Sequence, residues 1–509
     1  MKPRYEVEAG INNCLIIKDS HDQDLTSLTK HALGFLEQQS GNQNRRRTLI
    51  ISDIEGCDDL VCEMFYANIQ QIIRDQLVDR IVCIGPDLYA NASLFAIESK
   101  SFFLNTTDFL KSDFLSSIDR DAILVKIAPD FEPERILNHI QQLAHDTVLE
   151  INFDALFHNL DHFRSKVNPE TMLMCMMKAS AYGSGSIEVS QALQHYGVDY
   201  IAVAFTNEGV EIRQAGIKTP IMVLDPMLPA IHHLFKYNLE PEVCSFQFLT
   251  AMISEAKRHN LTDYPIHIKL DTGMHRAGFE AEELPLLVSI LHNQNAVKVR
   301  SVFSHLAAAD EFNPDMEQFT RQQIALFDKN SSYIQSSFEH KIIRHILNTA
   351  GIERYSEYQF DMVRLGIGLW GHNCCNTDKL RNVCSLSTKV MQLKVVHAGE
   401  TVGYSRKGIC QEDRTIALLP LGYADGIDRR LGNGAGCVYI NDRQVRTIGN
   451  ICMDLMMVDV TGINVNVGDK VVIFDDTHSI TDIANTLGTI TYEVLAGISP
   501  RVRRVYYRN

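Results

Sequence analysis

Lys178 closes an apolar run. Met172 to Met177 are all methionine, leucine or cysteine, and the lysine is followed by Ala-Ser-Ala-Tyr-Gly-Ser-Gly and a helical pattern, IEVSQALQHYG. A continuous apolar run marks a strand buried on both faces, as in a parallel barrel. An amine at the end of such a strand is desolvated on one side and open on the other. That lowers its pKa and suits it to imine chemistry with a carbonyl compound. A lysine snorkelling from a strand end is the simpler account of this stretch taken alone. Polar residues recur at comparable places further on: Lys269 and Asp271 in PIHIKLD, His305 in VRSVFSH, Asn348 in IIRHILN and Arg364 in DMVRLG.

These residues need a scaffold that brings strand ends together. Eight strand candidates, each separated by helical pattern, run from 172–178 through 199–205, 220–225, 241–245, 265–271, 299–305 and 342–348 to 361–366. That is the count of a (β/α)8 barrel, in which chemistry sits at the C-terminal ends of the strands. Before it, residues 1–145 alternate RTLIISD, DRIVCIG, SFFLN and DAILVKI with helical segments 62–77, TTDFLKSDFLSSI and PERILNHIQQLAH. This rhythm predicts a doubly wound parallel sheet. No GxGxxG or GxxxxGK[ST] loop accompanies it, so phosphate-cradling motifs are missing from this segment. After about residue 385, short strands with Gly and Asn turns predict an all-β domain. The expected division is 1–145, 146–385 and 386–509, an α/β chain with a β C-terminal domain.

Length alone requires more than one core in 509 residues. A formal charge of −15 argues against nucleic acid as partner, and Arg45-Arg46-Arg47 reads as a solvated loop. The 12 cysteines include no CxxC pair, so neither a metal site nor a redox motif is indicated. No apolar run approaches a membrane span and no signal peptide is in view, which makes the cytoplasm the expected compartment.

Two resemblances sharpen this reading. Residues 5–145, through INNCLIIKDSHDQDLTSLTKHALGFL, TLIISDI, DRIVCIG and AILVKI, resemble the C-terminal domain of Mur ligases. The nearest match is the UDP-N-acetylmuramoyl-tripeptide D-alanyl-D-alanine ligase. That family's Asp-Ser-Tyr-Asn-like turn at the nucleotide site reads Asp19-Ser20-His21-Asp22 here, and its central and N-terminal domains have no counterpart in this sequence. The resemblance implies descent from a ligase fusion, without ligase activity.

From 146 to 509 the motifs, in order, resemble alanine racemase, an enzyme of pyridoxal 5′-phosphate (PLP). KASAYGSG matches that family's KANAYGHG, departing at Ser180 and Ser184. The resemblance implies that Lys178 carries the cofactor covalently and that Tyr182 holds its phosphate. IKLDTGMHRAGFE matches KxDTGMxRxG, making Lys269 a lysine often carbamylated in the family and Arg276 the arginine it orients toward the substrate carboxylate. His305 is implied under the cofactor ring and linked to Arg364. Asn348-Thr349 matches an Asn-Ser pair, and the Thr349 hydroxyl can serve the phosphate as serine does. Arg364 is implied at the pyridine nitrogen, where arginine leaves that nitrogen unprotonated and the ring a weaker electron sink. The backbone of Gly366 and Ile367 and the Tyr492 hydroxyl are implied phosphate ligands.

In the β domain, ETVGYSRKG supplies Tyr404, implied as the second base opposite Lys178, its phenol pKa lowered by a neighbouring cation such as Arg276. Tyr423 resembles a tyrosine on the substrate's way in. Met453 is implied to bind the substrate carboxylate through its backbone N–H, with Asp454 beside it. In the family Tyr404 and Met453 reach a partner's barrel, so a homodimer with composite sites is expected. The implied role is D-alanine supply for peptidoglycan. Racemisation of serine would need only a different pocket size. A non-catalytic PLP-binding single barrel would lack the β domain and Tyr404, and related decarboxylases would carry an acid in place of Arg364.

Overall fold

The computed structural model describes residues 5–19, 33, 36–37, 40, 45–54, 59–141, 147–372 and 379–508. Ser20 to Asp22, Cys374-Cys375 and the expected boundary at 145/146 lie outside the described residues. Contacts group the chain into two compact units. One holds 1–154, 384–490 and 497–509, and the other holds 155–383 and 491–496. The expected division into three successive segments differs from this, because the first and third segments share one sheet.

In the first unit, strands β1 (Tyr5–Ala9), β2 (Leu15–Asp19), β3 (Arg47–Ser52), β4 (Arg80–Ile84), β5 (Lys100–Phe103) and β6 (Ala122–Lys126) take the order β1-β2-β6-β3-β4-β5. β2 to β5 run parallel and β1 is antiparallel to β2. The cores of β3, β4 and β6 are buried along nearly their whole length, as their unbroken apolar runs require. The helix expected over TTDFLKSDFLSSI is two short ones, Thr106–Leu110 and Phe114–Ser117. The Ser112 hydroxyl donates to the Phe109 carbonyl at 2.6 Å and accepts from the Phe114 N–H at 3.3 Å, so a side chain takes over where the backbone ladder breaks. Nor is the arginine run a solvated loop. Arg46 bonds the fully buried Asp121 carboxylate, and Arg47 opens β3 against Asp79.

The same sheet continues through the C-terminal part of the chain. β7 (Val148–Asn152) pairs antiparallel with Cys384–Lys389 and parallel with the C-terminal strand Arg503–Arg508. That last strand pairs antiparallel with β1, Tyr5 opposite Arg508. Buried Glu8 accepts from Lys18 at 2.9 Å and from Arg503 at 3.3 Å, which ties the three strands together by charge. Beyond Cys384–Lys389 the large sheet runs on through Lys470–Phe474 and Cys437–Ile440 to Arg443–Arg446, and the β domain also holds a separate three-stranded sheet, Gln392–Val396, Arg414–Leu419 and Met456–Asp459, and the Thr401–Val402/Gly408–Ile409 pair.

The second unit is the expected barrel. Its strands are β8 (Met172–Met176), β9 (Tyr200–Val203), β10 (Ile221–Val223), β11 (Glu240–Val243), β12 (Tyr264–Lys269), β13 (Val297–Phe303), β14 (Ile343–His345) and β15 (Met362–Leu365). β8 to β14 pair in sequence, all parallel, and β15 pairs with β8. Between β14 and β15 the Asp361 and Arg364 N–H groups donate to the Arg344 and Leu347 carbonyls at 3.0 Å, bridging the near-closed seam. The strands are shorter than the apolar runs suggested. Lys178, Asp271, His305, Asn348 and Gly366 therefore stand just beyond strand ends, on turns at the C-terminal mouth. No described helix is long and apolar enough to cross a membrane.

Candidate active site

Lys178 is followed by a left-handed turn. Ala179, Ser180, Ala181 and Tyr182 all have φ between 52° and 54°, and Gly183 has φ 81°. Each L-residue in that region costs about 1 kcal/mol or more, and such strain is held only where neighbours over-determine it. Here the Glu208 carboxylate accepts the Ala179 N–H at 2.7 Å, and also those of Ala204 and Phe205. Behind the turn, a Cβ on Gly183 would lie 2.3 Å from the Leu495 carbonyl oxygen, so only glycine allows the segment 491–496 to pack there. The Lys178 amine is pushed below the ordinary lysine value, first by burial and then by the Arg276 cation, against the pull of Asp225 and Glu208.

Arg364 is the hub of the barrel interior. Its Nη1 donates to His345 Nδ1 at 2.8 Å, and its Nη2 to the Ser304 carbonyl at 2.6 Å, the Ile346 carbonyl at 3.1 Å and His305 Nδ1 at 3.2 Å. Burial pulls the guanidinium down to about 10, with Glu242 opposing and Arg276 adding, so it remains a cation at neutral pH. As a pure donor it dictates the tautomers beyond it. His345 Nδ1 must accept, so Nε2–H donates to Ser301 Oγ at 3.0 Å, Ser301 donates to His267 Nδ1 at 2.6 Å, and His267 Nε2–H donates to Glu240 at 2.9 Å. Burial, followed by the Arg364 charge, holds His305 and His345 well below the usual histidine value, hence neutral. Among the described residues Arg364 Nε–H is left without a hydrogen bond, one donor in reserve.

Beside this hub is a small polar cradle. A Cβ on Gly366 would sit 3.0 Å from the Tyr182 hydroxyl and 3.6 Å from Thr349 Oγ1, so the missing side chain leaves room where two hydroxyls converge. Asn348 caps helix Thr349–Arg354 by accepting the Gly351 N–H at 2.9 Å, which fixes Thr349. The Gly366 N–H, expected on phosphate, donates to Thr349 Oγ1 at 3.0 Å. Ile367 follows it in a buried 3-10 turn. Tyr182 packs against Trp370 with ring centroids 4.5 Å apart, and Trp370 Nε1–H donates to Ser184 at 2.8 Å. Tyr492, expected in the β domain, belongs to the barrel unit, its ring 6.1 Å from that of Tyr182.

Lys269 lies inside the barrel, its amine 3.4 Å from Glu242 and 4.6 Å from the Phe303 ring centre. Asp271 accepts the Gly273 and His275 N–H groups at 2.8 and 3.1 Å and so folds the loop that presents Arg276. Arg276 itself is exposed and has no ion pair among the described residues. Its charge nevertheless acts on Lys178, Lys269, Glu242 and His305.

The remaining expected residues share the other unit. Tyr404, Met453 and Tyr423 are 69, 53 and 43 % exposed. Asn450 donates to the Tyr404 carbonyl at 2.9 Å. The Met453 carbonyl accepts the Ala424 N–H at 3.0 Å, which joins the Met453 and Tyr423 turns. Asp454 accepts from Arg501 at 2.7 Å, and Arg501 also holds the buried Asp425.

Sequence reading assigned no role to Glu208, Glu242, His345 or Trp370, and took Ser184 only as a departure from the family motif. Glu242 carried a signal as the one acid in PEVCS, and His345 as a histidine at the centre of IIRHILN, beside Arg344. Glu208 lies on a surface-like helix pattern and offered none.

Comparison with known proteins agrees with this arrangement. The N-terminal domain profile of alanine racemase matches residues 151–374 and its C-terminal domain profile matches 383–506. Alanine racemase 1 of Clostridium acetobutylicum is 37% identical over 372 residues, 71% of this chain and 95% of that protein. The solved alanine racemase of Clostridium difficile 630 superposes with a TM-score of 0.67 at 33% identity, over 72% of this chain and 97% of that one. A Bartonella henselae alanine racemase, solved with covalently bound pyridoxal phosphate, gives a TM-score of 0.63 at 26% identity, over 71% and 99% of the two chains. The chain belongs to the alanine racemase family.

Proposed function

We propose that this protein interconverts L- and D-alanine by a two-base mechanism on PLP and so supplies D-alanine for peptidoglycan. The observation that carries the reading is the cluster at one barrel mouth: a partly desolvated Lys178, the unpaired cation Arg276 and the donor hub Arg364. The site fits the family's cofactor. Lys178 would bind it covalently, and the reserved Nε–H of Arg364 suits an unprotonated ring nitrogen. The hydroxyls of Tyr182, Thr349 and Tyr492, with the Gly366–Ile367 turn, suit its phosphate, for which the Gly366 N–H would exchange its bond to Thr349. When bound, the cofactor ring accepts the electron pair left at Cα.

The chain's own residues then move protons. Lys178 takes the Cα proton from D-alanine and Tyr404 returns one to the opposite face. For L-alanine Tyr404 takes the proton and Lys178 returns it. Arg276 and the Met453 N–H hold the substrate carboxylate, Tyr423 flanks its approach, and Asp454 braces the Met453 turn through Arg501. The exposure of Tyr404 and Met453 supports a homodimer in which a second copy of the chain supplies them, and the compartment we propose for it is the cytoplasm, as expected from the sequence.

The test is to incubate the protein with L-alanine, with and without added PLP, and to measure D-alanine. Because enantiomers have equal free energy, conversion should proceed to equal amounts. L-Serine in parallel measures how far the pocket discriminates. A protein that holds PLP and forms no D-alanine would refute the reading.

We further propose that residues 1–145 are a Mur-ligase-related domain with no catalysis of its own, preceding a barrel domain (146–385) and a β domain (386–509). Five parallel strands flanked by the antiparallel β1, and no phosphate-loop motif, support this. Calorimetric titration of the full chain with ATP should give no heat of binding. A measurable affinity would contradict it.

A further inference from the structure

Arg364 ends a hydrogen-bond chain that crosses the barrel interior from its C-terminal mouth to its floor. Beyond His345 and Ser301, the His267 Nε2–H donates to Glu240 Oε2 at 2.9 Å, and the Tyr200 hydroxyl donates to the same oxygen at 3.1 Å. Arg300 donates to the Tyr200 oxygen at 3.1 Å and closes the chain. Strands β9 and β11 to β15 each lend one member: Tyr200, Glu240, His267, Ser301, His345 and Arg364. Tyr200 and Glu240 open their strands, so they lie at the floor, and Glu240 keeps 14 % of its side chain exposed there. Tyr200, His267, Ser301 and His345 are buried. The proposed reaction gives Glu240 no task.

Strand register makes the chain continuous. Ile266 stands opposite Val299 but His267 stands opposite Ser301, so Arg300 is passed over. Without that slip His267 would be paired with Arg300 and the chain would break there. Phe303 stacks on the His345 ring, centroids 4.9 Å apart and planes 5° from parallel, and holds the plane of that ring. The two ends have fixed roles. Arg364 can only donate. Glu240 can only accept: burial alone would raise its carboxyl, but the bonds from His267 and Tyr200 and the Arg300 charge hold it below the ordinary carboxylate value. The Tyr200 phenol is pushed up to about 12, first by burial and then by Glu240, so it keeps its proton. His345, Ser301 and His267, in between, could each be turned round. Reversed, His345 would point an Nδ1–H at the Arg364 Nη1–H across 2.8 Å, two donors with no acceptor.

We propose that Glu240, at the barrel floor, is a positioning residue for Arg364: it sets the direction of the His267–Ser301–His345 chain, so that the His345 Nδ1 lone pair always faces the guanidinium. Bonds that all run one way polarise one another, so the carboxylate at the floor strengthens His345 as an acceptor at the mouth. Arg364 is then held on both Nη atoms, by His345 on one side and by His305 and two carbonyls on the other. This role rests on Arg364 belonging to the proposed racemase site, and its spectroscopic test does not depend on turnover.

The experiment is 15N NMR of the histidine-labelled holoenzyme, with kcat and KM measured alongside. Ring nitrogen shifts tell an Nε2–H from an Nδ1–H imidazole, and loss of its signals in His345→Gln identifies His345. The wild type should show His345 as Nε2–H alone. Glu240→Leu, similar in size but without an acceptor, should populate the Nδ1–H form of His345 and lower kcat about tenfold with KM little changed. Glu240→Gln keeps an oxygen at that place and should restore the single tautomer and most of kcat. Ser301→Ala cuts the chain and should lower kcat by itself, and adding Glu240→Leu to it should lower kcat no further. A wild-type His345 protonated on Nδ1 overturns the proposal. So does a wild-type His345 spectrum in Glu240→Leu, or losses from Glu240→Leu and Ser301→Ala that multiply in the double variant. If Glu240→Leu fails to fold, Ser301→Ala decides, since an unchanged kcat there overturns the proposal too. Failure of the wild type to racemise alanine would remove the proposed reaction and leave the tautomers readable.

Discussion

Lys178→Ala should lower alanine racemisation by about 10⁴-fold or more, since it removes both the covalent anchor of the cofactor and one of the two bases. The loss should appear in two independent readings. Turnover falls, and the absorbance of lysine-bound cofactor disappears from the purified protein. The fold should survive, because Lys178 precedes the left-handed turn, which Glu208 and the Met177 and Ala179 carbonyls hold through backbone groups. An unchanged circular dichroism spectrum with both readings gone is the expected result. Retained absorbance and turnover would sink the assignment of this residue.

The second large effect is asymmetric. Tyr404→Phe deletes one hydroxyl from an exposed position, so its structural cost should be small. Racemisation should fall by about 10²–10⁴-fold, the usual worth of a positioned base. PLP should remain bound, as none of the residues assigned to hold it lies in that unit. In deuterated solvent the variant should still exchange the Cα proton of D-alanine, which Lys178 serves, and fail to exchange that of L-alanine. Exchange from L-alanine in Tyr404→Phe would rule out the second-base role.

What could be read from the residues followed local pattern. The barrel strands were visible because each is a run with one periodicity, and Lys178 and Arg364 stood out as charges at the ends of such runs. What escaped depends on partners distant along the chain. Glu242 gains meaning only from the register that sets it near Lys269, and Glu208 only from a turn that brings it to Ala179. That Tyr492 packs with the barrel unit could not be read from the sequence either, because 491–496 leaves its neighbours in sequence to pack behind Gly183. The single broken helix at 106–117 shows the opposite failure, where a continuous helical pattern was overruled by one serine hydroxyl.

The pairing of β1 with Arg503–Arg508 bears on how the protein is made. The partner of β1 lies far along the chain, so during synthesis β1 and β2 can find each other while the free edge of β1 waits for the chain between Ala9 and Arg503 to emerge. An unpaired strand edge held open for that time is a template for wrong pairing between nascent chains. A nonsense or frameshift product lacking only the final strand would retain every residue assigned to the reaction and still leave β1, β7 and the Glu8 carboxylate unpartnered on that side. The strand Arg503–Arg508 thus closes a sheet that only a chain translated that far can close.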